Sequence, residues 1–217
     1  MLEIANNLIA INSKYAIIGL ELINILYGDY MIKVFHAGYV EIKAPDIHRG
    51  RINADLGQGF YLSDNYEFAS RWVREKKGAD IIVNSYELDE SGLVIKRFDR
   101  DAEWFRYVFS NRRSMPDGLK DVDVIIGPIA NDTIYNTMGI MTSGFLTDEE
   151  ALKLLSVGPL YSQIVLKSQK AADNLHFVAS EVLAKEVIEA NKIIVAAEED
   201  EYLQLFAETM ESFETEE

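Results

Sequence analysis

Apolar residues recur along the chain at two different periods, and the switches between them set the expected elements. Over residues 1–28, Ile4, Leu8 and Ile11 fall at helical spacing, Ser13 offers a cap for a second helix and Gly28 a stop. Residues 15–26 are apolar nearly all round, which fits either an extra packing helix or a docking segment for a partner. Met31 opens a strand pattern that reaches Phe35, and residues 43–55 read as a loop carrying Pro45, Gly50, Arg49 and Arg51. A strand around Tyr61 follows, then a helix from Ser63 and Asp64 to about Lys76, with Phe68, Ala69, Trp72 and Val73 on one face.

Farther along, residues 81–88 and 93–98 are rich in β-branched side chains and read as a hairpin across Asp89-Glu90-Ser91-Gly92. A helix over residues 101–111 buries Trp104, Phe105, Val108 and Phe109 and ends in Asn111-Arg112-Arg113. Residues 123–126 form a short, fully apolar strand running into a Gly127-Pro128 turn, after which Asp132 caps another helix. Thr147-Asp148-Glu149-Glu150 opens a further helix with its acids in the first turn, where the helix dipole favours them. Residues 163–167 read as a strand and 171–177 as a short connection. From Ser180 the period is helical, with Val182, Leu183, Val187 and Ile188 on one side and later Leu203 and Phe206. Strands separated by helices of irregular length, with hairpin pairing, point to an α+β fold rather than a doubly wound sheet. The expected organisation is an amino-terminal helical extension over 1–30, one domain over 31–197 and an acidic tail over 198–217. That tail has no lysine, arginine or histidine, so it is expected to be solvated or frayed, or else to bind a partner or mimic a polycation's ligand.

Composition narrows the chemistry. At 217 residues and 48% hydrophobic, the chain suffices for one sizeable core. A net charge of -15 creates a field that repels nucleic acid and anionic membranes, so non-specific nucleic-acid binding is not expected. The absence of cysteine excludes thiolate metal sites and a cysteine nucleophile, and three histidines are too few for a structural zinc centre. Lys14 is the only basic residue among the first thirty, and Glu3, Glu21 and Asp29 interrupt their apolar runs. They therefore read as neither a secretory leader nor a membrane span, and a cytoplasmic location is expected. There is no phosphate-binding Walker loop, zinc-protease helix or nucleophile elbow. Gly57-Gln58-Gly59 precedes a strand instead of opening a helix, which excludes a Rossmann reading.

Two stretches carry polar rings where buried strands surface: Val34-Phe35-His36-Ala37-Gly38 and Gly57-Gln58-Gly59-Phe60-Tyr61-Leu62-Ser63. With Pro45-Asp46-Ile47, Arg51, Asp55, Ala69, Trp72, Tyr86-Glu87-Leu88, Asn111-Arg112, Ile126-Gly127-Pro128-Ile129-Ala130 and Gln163-Ile164, they form an ordered series from about residue 31 to 177. That series resembles the domain-of-unknown-function family 3990, a branch of the ADP-ribosyltransferase superfamily. The resemblance implies a split pair of antiparallel sheets flanked by helices and clasping NAD, which serves as substrate.

Residue by residue, the resemblance implies the following roles. His36 holds a ribose hydroxyl on the adenosine side or is a satisfied core histidine. The backbone of Ala37 pairs with the nicotinamide carboxamide, and Gly38 stands where a serine or threonine is usual, so one hydroxyl contact is lost. Tyr61 stacks on the nicotinamide while Phe60 points into the core, and Gly59 lets the backbone approach the ligand. Trp72 is either the opposite slice of that sandwich or simply packing. Gln163 heads the strand that in relatives carries a catalytic glutamate; an amide can hold a hydroxyl but cannot offset positive charge on the ribose. Arg51, Arg112 and Arg113 are candidates for pyrophosphate or acceptor binding, or for structural pairing with the abundant acids. The implied function is an NAD-dependent ADP-ribosyltransferase acting as a bacterial toxin or defence effector, with a small antitoxin-like protein as partner. The alternative is a catalytically silent NAD or nucleotide binder, or a protein-interaction module.

Overall fold

A computed structural model describes residues 31–134, 139 and 144–215 of the chain; the helices expected over residues 1–28 lie outside them. Among the described residues seven strands form two sheets. Strands β1 (Met31–Gly38), β3 (Ile82–Asp89) and β7 (Leu175–Val182) make an antiparallel sheet in the order β1-β3-β7. Strands β2 (Phe60–Leu62), β6 (Ser162–Leu166), β5 (Val124–Pro128) and β4 (Ile95–Arg97) make the second, in the order β2-β6-β5-β4, antiparallel except for the parallel β4/β5 pair. One backbone bridge joins the sheets: the Phe35 N–H donates to Ser63 O at 2.8 Å and the Ser63 N–H to Phe35 O at 2.9 Å.

Among the described residues six α-helices flank them: α1 (Tyr66–Arg71), α2 (Ala102–Arg112), α3 (Asn131–Ile134), α4 (Asp148–Leu155), α5 (Gln169–Asp173) and α6 (Lys185–Thr215). The mixed α+β class expected from the sequence is thus observed. Alternation along β6 explains the layering. Ile164 and Leu166 enter a core shared with Val34, Tyr86 and Leu88 of the first sheet, while Val165 faces Trp104, Leu154 and Phe213 of the helices. Because the four-stranded sheet is covered on both faces, β5 and β6 read as nearly continuous apolar runs.

Helix starts follow capping chemistry. Asp101 accepts from the N–H groups of Glu103 and Trp104 at the start of α2, and Thr147 and Glu150 form a reciprocal capping box at the start of α4. Phe109 is only half-buried, unlike Trp104, Phe105 and Val108.

Five expectations are corrected. The first helix after β2 begins at Tyr66 under an Asn65 cap and ends at Arg71, short of Lys76. Ser63 cannot serve as its cap, since its backbone belongs to the inter-sheet bridge. Strands β3 and β4 are not a hairpin, because β3 is the centre of its sheet with both edges occupied, so β4 pairs with β5 instead. The Gly127-Pro128 pair continues β5, and Asp132 lies inside α3 with its carboxylate turned to Arg112 rather than to a cap. Residues 171–177 are more than a connection: they hold the end of α5 and the start of β7. That edge strand is mostly exposed, and its weak alternation hid it. Residues 198–215 are no frayed tail, because α6 runs unbroken to Thr215 and buries Tyr202 and Phe213.

Tyr202 packs against the turn at Gly158, whose φ of +83° only glycine tolerates readily. Tyr202→Ala should therefore cost about 3 kcal/mol of unfolding free energy, by analogy with other aromatic core truncations. Glu201→Ala, on the exposed side of the same turn, should stay within about 0.5 kcal/mol. Urea unfolding midpoints of the two variants check this.

Candidate active site

Beside the inter-sheet bridge, β2 places its side chains on two faces. Phe60 and Leu62 enter the core between the sheets, as expected for Phe60, and Tyr61 takes the opposite face, cross-strand from Val165. Gln163, two residues earlier on β6, shares that face by alternation. Both side chains line a cleft of about 480 Å³. The cleft's other walls are Arg51, Ala54 and Asp55 from the loop before β2, then Phe68, Arg71, Trp72 and Arg74 at α1. Ile129, Thr133 and Ile134 come from around α3, and Val195 and Glu198 from α6.

The Tyr61 hydroxyl donates to Gly57 O at 2.7 Å and accepts the Leu56 N–H at 3.1 Å, so the ring is braced against its own entry loop. Burial pushes this phenol above its ordinary range, which keeps it a neutral donor. Gln163 is 5% exposed; its Nε2 donates to Pro128 O at 3.4 Å, and its Oε1 has no partner among the described residues. Trp72 meets Phe68 edge-on with centroids 5.4 Å apart, so it both packs and lines the cleft.

His36 lies outside the cleft lining. Its ring packs on Phe60 at 4.7 Å, and Nδ1 donates to the Tyr61 carbonyl at 2.8 Å, which ties the two sequence stretches together. A carbonyl can only accept, so Nδ1 carries the proton and Nε2 is left as an acceptor in the neutral ring. Burial holds this imidazole below its ordinary 6.5, against the bond to Tyr61 that pulls the other way. Backbone alternation places Ala37 in the same sense as Phe35, whose N–H and C=O point to the β2 side. The corresponding groups of Ala37 therefore face Tyr61, where β1 and β2 part.

Gly38 and Gly59 do not line the cleft either. A Cβ on Gly59 would lie 2.5 Å from Leu166 O, and one on Gly50 only 2.3 Å from Gly59 O. These glycines serve close passage of three backbones, so the approach expected toward a ligand is an approach to β6.

Arg112 is held by carboxylates: Nε is 2.8 Å from Asp55 Oδ1, and the two terminal nitrogens meet both Asp132 oxygens at 2.8 and 2.9 Å. Burial works against this guanidinium's charge, yet Asp132 and Asp55 overrule it and keep the group above its ordinary range. Arg113 stacks on the Phe109 ring at 4.5 Å. Neither lines the cleft. Its cations are Arg51, Arg71 and Arg74; Arg51 and Arg74 make no ion pair with any described residue. Three arginines in one cleft of a chain with net charge -15 are a local reversal of sign.

The family model described as a protein of unknown function, DUF3990, matches residues 32–177, well over half of the chain. The chain belongs to the DUF3990 family. No curated protein and no solved structure matches it. The DUF3990 match takes in Arg51, Tyr61, Trp72 and Gln163, and stops before α6, which supplies Val195 and Glu198. Sequence reasoning missed Asp55, Arg71, Arg74 and Glu198 as cleft residues. The two arginines flank Trp72, which was a usable signal, whereas nothing marks Glu198 among the other acids of its helix. Among the described residues no cluster of histidines and acids is arranged to hold a metal.

Two outcomes follow from this geometry. In an NMR titration His36 should titrate below 6.5. Between that value and its folded pKa the unfolded chain binds a proton that the native ring refuses, so stability should fall as pH drops, and His36→Gln should flatten that part of the curve. Replacing Arg112 with Met leaves Asp55 and Asp132 without their shared cation and should cost about 3–5 kcal/mol in a urea titration.

Proposed function

We propose that the protein is an NAD-dependent ADP-ribosyltransferase, a bacterial toxin or defence effector whose acceptor is unidentified. The single observation that carries this reading is the convergence of Tyr61, Trp72 and Gln163, from β2, the end of α1 and β6, on one arginine-bearing cleft. Aromatic faces suit a nicotinamide ring, and the N–H and C=O of Ala37, on the Tyr61 side of β1, match a carboxamide, which needs one acceptor and one donor. Arg51 and Arg74, which have no ion pair among the described residues, suit a pyrophosphate better than Arg112 and Arg113. His36 braces the Tyr61 carbonyl through Nδ1 and offers Nε2 to a ribose hydroxyl.

The reaction breaks the bond between the ribose C1′ and the nicotinamide nitrogen. The electron pair leaves with nicotinamide, neutralising the pyridinium, and C1′ becomes oxocarbenium-like. The acceptor's nucleophilic atom then bonds to C1′ and loses its proton to solvent. A small antitoxin-like protein is the partner proposed to silence this activity.

Gln163 favours a second reading, because a neutral amide at that position leaves a silent NAD binder or interaction module. Calorimetry with NAD and assay of released nicotinamide, in the presence of cell lysate as acceptor source, separate the two. Binding with turnover is expected; binding without turnover selects the silent NAD binder, and no binding removes both of these and leaves the interaction module. His36→Ala should abolish transfer and Gln163→Ala weaken it, and indifference to both would show that the cleft is not the NAD site.

A further inference from the structure

An ADP-ribosyl transfer needs negative charge near C1′, and Gln163 has none. Two carboxylates line the same cleft, Asp55 and Glu198. Asp55 is the more enclosed of the two: its side chain is 13% exposed, and its Oδ1 accepts from Arg112, whose guanidinium also holds Asp132. Glu198 is the more open carboxylate. Its Oε1 accepts the Tyr161 hydroxyl at 2.6 Å and an Arg71 N–H at 3.1 Å, while its Oε2 has no hydrogen-bond partner among the described residues. One oxygen is anchored and the other is left open.

The anchor is rigid. Tyr161 stacks on Phe68 with centroids 3.9 Å apart and planes 9° from parallel, and Arg71 also donates to the Tyr161 hydroxyl at 2.9 Å. Burial, and then the bond to Glu198, push the Tyr161 phenol up to about 12, so it remains a donor throughout the neutral range. Arg71 reaches Oε1 and not Oε2, so the ion pair orients the carboxylate without capping its open side. The carboxylate side chain is 25% exposed, enough to meet a ligand and little enough to limit screening by water.

We propose that Glu198, on a helix beyond the residues matched to the family, supplies the carboxylate that Gln163 lacks. Oε2 accepts the hydroxyl of the nicotinamide ribose and offsets the charge developing at C1′ as the C1′–N bond breaks. Gln163 retains only the holding role. This inference rests on the transferase reading above and assigns the group that makes turnover possible at that site.

The test uses the full chain, with NAD as probe and nicotinamide release as readout beside calorimetric binding. Glu198→Gln keeps an oxygen for Tyr161 and removes only charge. It should lower kcat by about 100-fold or more, the scale of losing one preorganised electrostatic contact. NAD affinity should stay within about threefold, which places the loss in the transition state. Adding Gln163→Glu to that variant should return activity to within about tenfold of the parent, because the charge is restored from the other wall. Asp55→Asn and thermal melts of all variants serve as comparisons. Loss of less than about threefold in Glu198→Gln, or a larger loss in Asp55→Asn with intact folding, overturns the assignment. Failure of the parent to bind NAD, or binding without turnover, instead defeats the transferase reading itself, whereas turnover that is indifferent to Glu198 defeats only the assignment.

Discussion

Two-sided burial of β6 is the constraint on which the rest of the structure depends. Ile164 and Leu166 require the first sheet, and Val165 requires the helices around Trp104, so neither layer can be removed without exposing a central strand. Gln163 is admitted to this strand only at its mouth, where β5 turns away after Pro128 and the sheet surface opens. The cleft exists because the same face that is covered by helices along Val165 is left partly open one pleat earlier.

The bridge between Phe35 and Ser63 then fixes how the sheets meet. It brings β1 against the end of β2 for a single residue pair and lets them diverge, which leaves the Ala37 backbone groups facing Tyr61. His36 adds a side-chain bond across the same gap. The meeting of β1 and β2 is therefore set largely by main chain.

What the sequence revealed and what it concealed follow from one distinction. Periodicity and capping chemistry are local, so α2 under Asp101 and α4 under Thr147 were legible, as were the strands around Tyr61 and Gln163. Pairing is not local. The strand at residues 95–97 carries no mark that sends it to β5 rather than back to β3, and the exposed edge strand β7 lacks the alternation that a half-buried strand shows. Arg112 illustrates the same limit for charges, since its partners Asp55 and Asp132 lie 57 and 20 residues away and only the fold makes them neighbours. The acidic end of the chain misled through composition alone: its carboxylates face water on most sides of α6, while Tyr202 and Phe213 anchor it.

The placement of α6 separates the outer wall of the cleft from the sheets beneath it. The matched region folds the sheets and carries the aromatic and arginine walls, whereas the long helix closes the cleft from outside that region. Residues that shape the sheets are tied down by packing on both faces, but a residue at one turn of a peripheral helix can be exchanged with little effect on the core. The turn of α6 that carries Val195 and Glu198 is thus independent of the buried clusters that fix the two sheets, so the outer wall of the cleft can change shape while the core keeps its packing.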